Sequence, residues 1–174
     1  EVCILGAGGS AIALTIHFCN IDNSSCPSKI FVTDNNEKRL KHMGKVHKRM
    51  KYQIPIEYIL CRTAKNNNNA VEKLREGAIV INATGLGKDA PGSPLTDAVV
   101  FPDNGLVWDF NYRGDLIFLD QAKSQQESKN LTIHDGWNYF IHGWLSGISE
   151  VFNVIIPSEG PEFQKLSDIA ANIR

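Results

Sequence analysis

The residues with the clearest chemical meaning are a cluster of small residues that follows the first apolar run. The run is Val2 to Leu5, and the small residues are Gly6, Ala7, Gly8, Gly9 and Ser10. Gly6 would allow a sharp turn, and Gly8 would let the backbone approach a pyrophosphate. A helix that begins here would offer free N–H groups and its positive end to phosphate charge. The spacing predicts a strand, a tight turn and a helix start around a dinucleotide, although strand-to-helix turns without a nucleotide show the same kind of pattern.

A second chemically significant residue, Asp34, ends the next apolar run at residues 29–33. In nucleotide-binding folds, an acidic residue at the tip of the second strand accepts hydrogen bonds from the adenosine ribose hydroxyls and repels a 2′-phosphate. Asp34 therefore favours NAD over NADP as the cofactor. The alternative is that Asp34 only caps the helix that follows, which is an ordinary role for Asp.

The elements that must position these residues alternate along the chain. Strand-like runs at about 2–5, 29–33, 54–60, 78–85, 105–112 and 131–133 are separated by stretches of helical spacing or turn residues. This alternation predicts right-handed crossovers and a parallel sheet whose ligands gather at the carboxyl ends of the strands. We expect an α/β fold: a three-layer, Rossmann-type doubly wound parallel sheet of about six strands.

The helical segments are less uniform in character. Residues 37–51 carry a row of lysines, which raises the possibility of a nucleic-acid-binding module. No aromatic residues interleave with these charges, so a solvated helix face is the preferred interpretation and no nucleic-acid partner is predicted. The Asn-rich stretch 66–69 is expected to be a polar loop before a short helix at 71–75. Two C-terminal helices are expected at 137–152 and 162–173.

Length and composition fit one globular domain, residues 1–174, in which about 137–174 form a C-terminal helical extension. Hydrophobic residues make up 43% of the chain and charged residues 21%, and the formal net charge is -1, which gives no general attraction for nucleic acid or anionic membranes. No apolar run has membrane-spanning length. The widely spaced cysteines predict reduced thiols, no metal site and a cytoplasmic location. They are Cys3, Cys19, Cys26 and Cys61.

Four islands, spread along the chain, resemble the NAD(P)-binding domain of the shikimate and quinate dehydrogenase family. The first is the glycine turn from Gly6 to Ala11. The second is Ile81-Asn82-Ala83-Thr84-Gly85-Leu86-Gly87 with the later Ser93-Pro94-Leu95, which is similar to the family's N-A-T-x-x-G loop. The third is Asp109-Phe110-Asn111-Tyr112, and the fourth is Asp135-Gly136 before an apolar helix. Another two-domain dehydrogenase of the same fold, such as a glutamyl-tRNA reductase or methylene-folate relative, fits the second island poorly.

The resemblance implies hydride transfer between a nicotinamide ring and an alcohol carbon of a cyclic hydroxy acid. It implies that backbone groups of Ala7, Gly8, Gly9 and Ser10 hold the pyrophosphate. It implies that Thr84, Phe110 and Gly136 line the nicotinamide half of the cleft. The Tyr112 hydroxyl would lie near the substrate, although Tyr112 could equally be a core aromatic at a strand end.

Three departures from the family pattern indicate a divergent branch whose substrate is left open. Asp34-Asn35-Asn36 stands where NADP-using members have Asn-Arg-Thr, so NAD is preferred; NADP remains an alternative because Lys38 or Arg39 could reach a phosphate. The family's substrate-binding Gln of the last helix falls on Gly143, with His142 one place before. His142 is therefore a candidate substrate ligand or an ordinary structural histidine. Arg113, in an altered turn, could pair with a substrate carboxylate or with a surface acid.

The family's catalytic Lys and Asp lie in a domain that precedes the dinucleotide-binding one, and no stretch of this sequence matches it. We therefore expect no catalytic residue in this chain, which would bind a dinucleotide opposite a missing N-terminal domain and turn over poorly. A homodimer is compatible with this expectation. A non-catalytic, NAD-sensing regulatory domain is the alternative of a different class, since a fold alone does not fix a function.

Overall fold

The computed structural model describes residues 1–21, 26–50 and 53–172. Its centre is one sheet of six strands in the order β3-β2-β1-β4-β5-β6, in which every neighbouring pair is parallel. The strands are β1 (Val2–Leu5), β2 (Ile30–Asp34), β3 (Ile56–Leu60), β4 (Ile79–Asn82), β5 (Leu106–Asp109) and β6 (Thr132–His134). The predicted Rossmann-type doubly wound parallel sheet of six strands is confirmed.

Seven helices join and follow these strands within the described ranges. They are α1 (Gly9–Asn20), α2 (Glu37–Arg49), α3 (Ala64–Val71), α4 (Ile117–Lys123), α5 (Gln126–Lys129), α6 (Trp137–Phe152) and α7 (Gly160–Ala171). The helix ends expected at residues 51 and 173, and part of the loop after α1, lie outside the described residues. None of the helices in the described part has the length and apolar character that crossing a membrane requires.

The core lies on both faces of the sheet, as parallel sheets covered by helices require. Successive residues of β1 alternate between the two faces: Cys3 and Leu5 pack with Phe101 and Phe118 on one side. Ile4 packs with Met43 of α2 on the other side. Burial on both faces explains why β1 is a continuous apolar run rather than an alternating one.

The Asn-rich stretch is a helix, not the polar loop that the sequence predicted. Thr63 and Asn66 form a reciprocal capping box at the start of α3, in which the Thr63 hydroxyl accepts from the Asn66 amide. The following asparagines are used in tertiary contacts: Asn67 Nδ2 donates to Pro94 O at 2.9 Å, and Asn68 Nδ2 donates to Thr96 Oγ1 at 2.6 Å. These bonds hold α3 against the segment after β4, so the helix forms one wall of the site.

The strand order reverses at β1, which pairs with β2 on one side and with β4 on the other. A crevice opens beyond the carboxyl ends of β1 and β4, because a doubly wound sheet leaves one at the point where its strand order reverses. Gly6 and Ala83 are the first residues past those ends, and the amide of Ala83 donates to Leu5 O at 2.8 Å. The predicted glycine turn therefore stands at the topological switch point of the sheet.

Candidate functional site

The glycine turn has one position at which no side chain fits. Gly6 has φ 106°, and a Cβ there would lie 2.8 Å from the carbonyl oxygen of Ala83. Gly8 and Gly9 differ, because a Cβ on either would meet nothing within 4 Å. Gly8 is the N-cap of α1, where no side chain caps the helix. Gly6 is thus required by the fold, whereas Gly8 and Gly9 leave open space at a helix N-terminus, where an anion is stabilised.

Asp34 is a buried carboxylate that braces this turn. Its Oδ2 accepts from the amide of Ala7 at 2.8 Å, and its Oδ1 accepts from the amide of Asn36 at 2.8 Å. The cap of α2 is Asn36, whose Oδ1 accepts from the Lys38 amide, so the view of Asp34 as the helix cap is wrong. The amide of Ala7, expected among the pyrophosphate ligands, is engaged within the protein instead. Each carboxylate oxygen keeps a second lone pair for a ligand hydroxyl.

A first cavity of about 360 Å³ lies beside this brace. It brings together four residues that the sequence predicted, namely Gly6, Gly8, Asp34 and Thr84. Two arginines also line it: Arg39 of α2, whose Nη1 lies 3.9 Å from Asp34 Oδ2, and Arg62, which follows β3. Sequence reasoning missed Arg62, although its place just past the carboxyl end of a strand was a usable signal.

A second cavity, of about 320 Å³, lies on the other side of the same loop. It brings together the predicted residues Ser10, Thr84, Phe110 and Tyr112. Both cavities share a wall made of Ala83, Thr84, Gly85 and Asp89. Two hollows that meet at a glycine turn fit a ligand with two nucleoside halves joined by a charged linker.

The loop after β4 is held by a buried asparagine. Asn82 Oδ1 accepts from both the amide and the hydroxyl of Thr84, at 3.0 and 2.6 Å. The Thr84 hydroxyl in turn accepts from the amide of Leu86, and Asn111 Nδ2 donates to Leu86 O at 3.0 Å. Thr84 lines both cavities, but these bonds already use its hydroxyl. Its main contribution is to fix the shape of the shared wall.

Phe110 follows Asp109, a fully buried carboxyl at the end of β5. Burial raises the pKa of Asp109 to about 6, and the hydrogen bond from the Asn111 amide to its Oδ1, at 2.9 Å, opposes that shift. The carboxyl therefore ties the chain after β5 into the same turn that presents Phe110 and Tyr112. The sequence marked Asp109 as part of a motif but gave it no role.

Gly136 was expected to line the nicotinamide half, but it lines neither of the two cavities. It is the N-cap of α6, its amide donates to Asn111 O at 2.9 Å, and a Cβ on it would come within 2.1 Å of Phe110 O. No side chain is tolerated at that approach. Gly136 therefore acts by letting α6 begin directly against the strand end that carries Phe110.

Two aromatic residues of α6 complete the second cavity, and sequence reasoning missed both. Tyr139 stacks on Phe110 with ring centroids 4.5 Å apart, and Phe140 stacks on Tyr112 at 3.8 Å. The signal was their position in the first turn of a helix that begins at Gly136. Tyr112 therefore packs in an aromatic cluster and also lines the cleft, and its contact with a substrate stays a prediction.

His142 lines neither of the two cavities, and its role as a substrate ligand stays a prediction. Its ring stacks on Phe163 of α7 with centroids 4.3 Å apart, and it borders a neighbouring hollow along α6 that Tyr139 and Phe140 also line. Arg113 is exposed, with its guanidinium 5.7 Å from the Tyr112 ring centroid.

No model of a known protein family matches the chain. The chain is 27% identical over 126 residues to a shikimate dehydrogenase (NADP(+)) of Streptococcus pneumoniae (strain JJA), a match that covers 72% of this chain and 42% of that protein. Another shikimate dehydrogenase (NADP(+)) of the same species, strain Hungary19A-6, is 26% identical over 129 residues. The chain thus spans less than half the length of the curated relatives it matches.

Solved structures with the same fold lead to the same group of proteins. Quinate dehydrogenase from Corynebacterium glutamicum, in complex with NAD, has a TM-score of 0.68 and 18% identity and covers 98% of this chain and 54% of its own. Shikimate 5-dehydrogenase from Thermus thermophilus, in complex with shikimate, has a TM-score of 0.63 and 17% identity over 99% of this chain and 54% of its own. The resemblance read from the sequence is confirmed at low identity.

Proposed function

We propose that these residues form the dinucleotide-binding domain of an NAD-dependent oxidoreductase that acts on the alcohol of a cyclic hydroxy acid, as shikimate and quinate dehydrogenases do. The observation that carries this proposal is the pair of cavities that share one wall, the loop after β4, and that the glycine turn borders with Gly8 on one side and Ser10 on the other. A non-catalytic dinucleotide sensor would use the same cleft, and nothing in the comparisons favours it over an oxidoreductase.

The residues of the cleft have separate tasks in this proposal. The open space at Gly8 and Gly9 admits the pyrophosphate, and the Asp34 brace keeps the turn in the shape that leaves this space. The aromatic rings of Phe110 and Tyr139 border the nicotinamide half and exclude water from it. The bound dinucleotide would supply a hydride acceptor, and the Tyr112 side chain would contact the substrate from the same cavity.

The adenosine half supports NAD as the preferred cofactor and NADP as a weaker alternative. Asp34 disfavours a 2′-phosphate by charge. Arg39 and Arg62 line the same cavity and offset that repulsion. We therefore expect a modest preference rather than exclusion of NADP.

The acid/base groups are proposed to come from residues beyond these 174, and α6 offers a surface for them. The solved neighbours are about twice as long as the part that matches. Trp144, Val151 and Phe152 of α6 are 59%, 77% and 69% exposed and line one hollow, and a contiguous exposed apolar patch of this kind marks an interaction surface. In this proposal the catalytic domain of the same protein covers that face.

The test is a titration of the chain with NADH and NADPH, followed by fluorescence. NADH should bind more tightly than NADPH, and Arg39→Met should weaken the binding of NADPH several-fold more than the binding of NADH. Arg49→Met, at the other end of α2, is the matched control and should change neither. If the chain binds neither dinucleotide, the proposal is wrong. If this chain alone measurably oxidises shikimate or quinate, the proposal that the acid/base groups come from other residues is wrong.

A further inference from the structure

The loop after β4 carries a pair of opposite charges, Lys88 and Asp89, that the proposed function has not used. The pair belongs to a short loop that closes on itself: Gly85 O accepts from the amides of Lys88, Asp89 and Ala90 at 3.2, 2.7 and 3.1 Å. The Gly87 amide donates back to Ala90 O at 2.7 Å. This local bonding fixes the loop, so the positions of Lys88 and Asp89 at the cleft follow from the backbone.

The two side chains are joined tightly. Lys88 Nζ lies 2.6 Å from Asp89 Oδ1 and 2.7 Å from Oδ2. The Lys88 side chain is only 20% exposed, whereas that of Asp89 is 60% exposed. Because an exposed Lys–Asp pair contributes little to stability, the pair alone does not explain why the Lys88 side chain is held in the cleft.

The two residues occupy different places in the cleft. Lys88 lines the second cavity together with Ser10, the second residue of α1. Asp89 lines both cavities, and its carboxylate packs over Gly85, where a Cβ would lie 3.0 Å from Oδ2. Asp89 therefore stands between the two halves of the cleft, where the linker of any ligand that fills both must pass.

We propose that Lys88 binds the pyrophosphate of the dinucleotide and that Asp89 competes with this pyrophosphate for the Lys88 ammonium group. The inference rests on the proposed function, because it needs a ligand with a charged linker. In the free chain Asp89 neutralises Lys88. A bound pyrophosphate brings like charge towards Asp89 and draws the ammonium group away, so the Asp89 carboxylate turns outward into solvent.

The pair sets the affinity through competition, which makes the two single variants opposite in effect. Lys88→Met keeps the apolar stem and removes the charge, so NADH should bind about tenfold more weakly. Asp89→Asn removes the competing carboxylate, so NADH should bind roughly three- to tenfold more tightly. In the Lys88→Met background, Asp89→Asn should raise NADH affinity much less, because the ammonium group for which the Asp89 carboxylate competes is absent.

The matched control is Lys123→Met. Lys123 Nζ forms the same kind of pair with Asp120 Oδ1, at 3.0 Å, but lies on the exposed side of α4. It should leave NADH affinity unchanged. Lys88→Arg, which retains the charge, should bind NADH with an affinity within a few-fold of that of the parent chain. This result would show that Lys88→Met loses affinity because it lacks the charge and not because it is misfolded.

ADP-ribose separates the pyrophosphate from the nicotinamide ring, since it has the first and lacks the second. Lys88→Met should weaken the binding of ADP-ribose by the same factor as the binding of NADH. If only NADH binding is weakened, Lys88 contacts the nicotinamide ring and the inference is overturned. If the parent chain binds NADH and Lys88→Met and Asp89→Asn both behave like Lys123→Met, the inference falls and the proposed function stands. If the parent chain binds neither ligand, both fall together.

Discussion

The two ends of the cleft are built in opposite ways. At the end that holds Asp34, β1 is fully buried, and the turn after it is locked by the Asp34 brace and by the close approach of Gly6 to Ala83. At the other end, Tyr139 and Phe140 of α6 stack on Phe110 and Tyr112, but the helix buries only Ile141 and exposes Trp144 and Phe152. Contacts within the chain therefore fix the first end of the cleft, whereas the second end keeps an exposed apolar helix face beside it.

The largest effect is expected at the locked end, from Gly6→Ala. The new Cβ would lie 2.8 Å from Ala83 O at a φ of 106°, so strain and overpacking together should cost about 4 kcal/mol of unfolding free energy. Urea unfolding measures this change. Gly9→Ala is the control, because its Cβ meets nothing within 4 Å; an equal loss in the two variants would contradict the locked-turn interpretation.

Asp109, at the other end, should make stability depend on pH in an unusual direction. Because burial raises its pKa from 3.8 to about 6, the folded chain holds its proton more tightly than the unfolded chain. Its contribution is complete below about pH 3.8 and is lost as the pH rises through 6, a change on the order of 3 kcal/mol.

Asp109→Asn should remove this dependence. The variant should be more stable than the parent chain at pH 7.5, and the difference should vanish near pH 4. Urea unfolding at both pH values checks it, with exposed Asp115→Asn as the control. The same stability difference at the two pH values would show that Asp109 does not titrate in this way.

The Asp34 brace ranks next. Asp34→Ala leaves the buried amide of Ala7 and the amide of Asn36 without their acceptor, which should cost about 2 kcal/mol. If the carboxylate acts by shaping the turn, Asp34→Ala should also weaken the binding of nicotinamide mononucleotide, which has no adenosine ribose. Weakened NADH with unchanged mononucleotide binding would instead assign Asp34 to the ribose alone.

A smaller effect is expected from His47, beneath the locked end. Its ring is buried, Nε2 lies 2.8 Å from Thr15 Oγ1, Nδ1 contacts the Tyr58 hydroxyl, and burial lowers its pKa below 6.5. The stabilising contribution is therefore present above pH 6.5 and is lost as the pH falls. His47→Gln, measured in the Asp109→Asn background, should flatten the fall in unfolding free energy between pH 7.5 and 5.5; an unchanged slope would contradict it.

The smallest effect is expected on the open face of α6. Trp144→Ser should change the unfolding free energy of this chain by less than about 0.5 kcal/mol, because the side chain is already 59% exposed. Ile141→Ser, at the buried position of the same helix, is the destabilising control. A large loss from Trp144→Ser would mean that the face is already covered within the chain.

Local pattern was enough for one part of this molecule. The apolar run of β1, the glycine turn and the start of α1 are consecutive in sequence, so their spacing determined their structure, and the alternation of runs determined the parallel sheet. The Asn-rich α3 was missed because its stability comes from a capping box and from side-chain bonds to Pro94 and Thr96, which are distant in sequence.

The sequence alone determined the fold class and the glycine turn, whereas the bond between that turn and Asp34 emerged only from the structure. Only the tertiary structure decided which side chains line the cleft: it brought Arg62, Lys88 and Tyr139 to the two cavities and placed the His142 ring against Phe163 of α7. The physical reason is that a one-residue step turns a helical side chain by about 100°. The residue that enters a site therefore depends on where the helix begins, and here Gly136 sets that start by its close approach to Phe110.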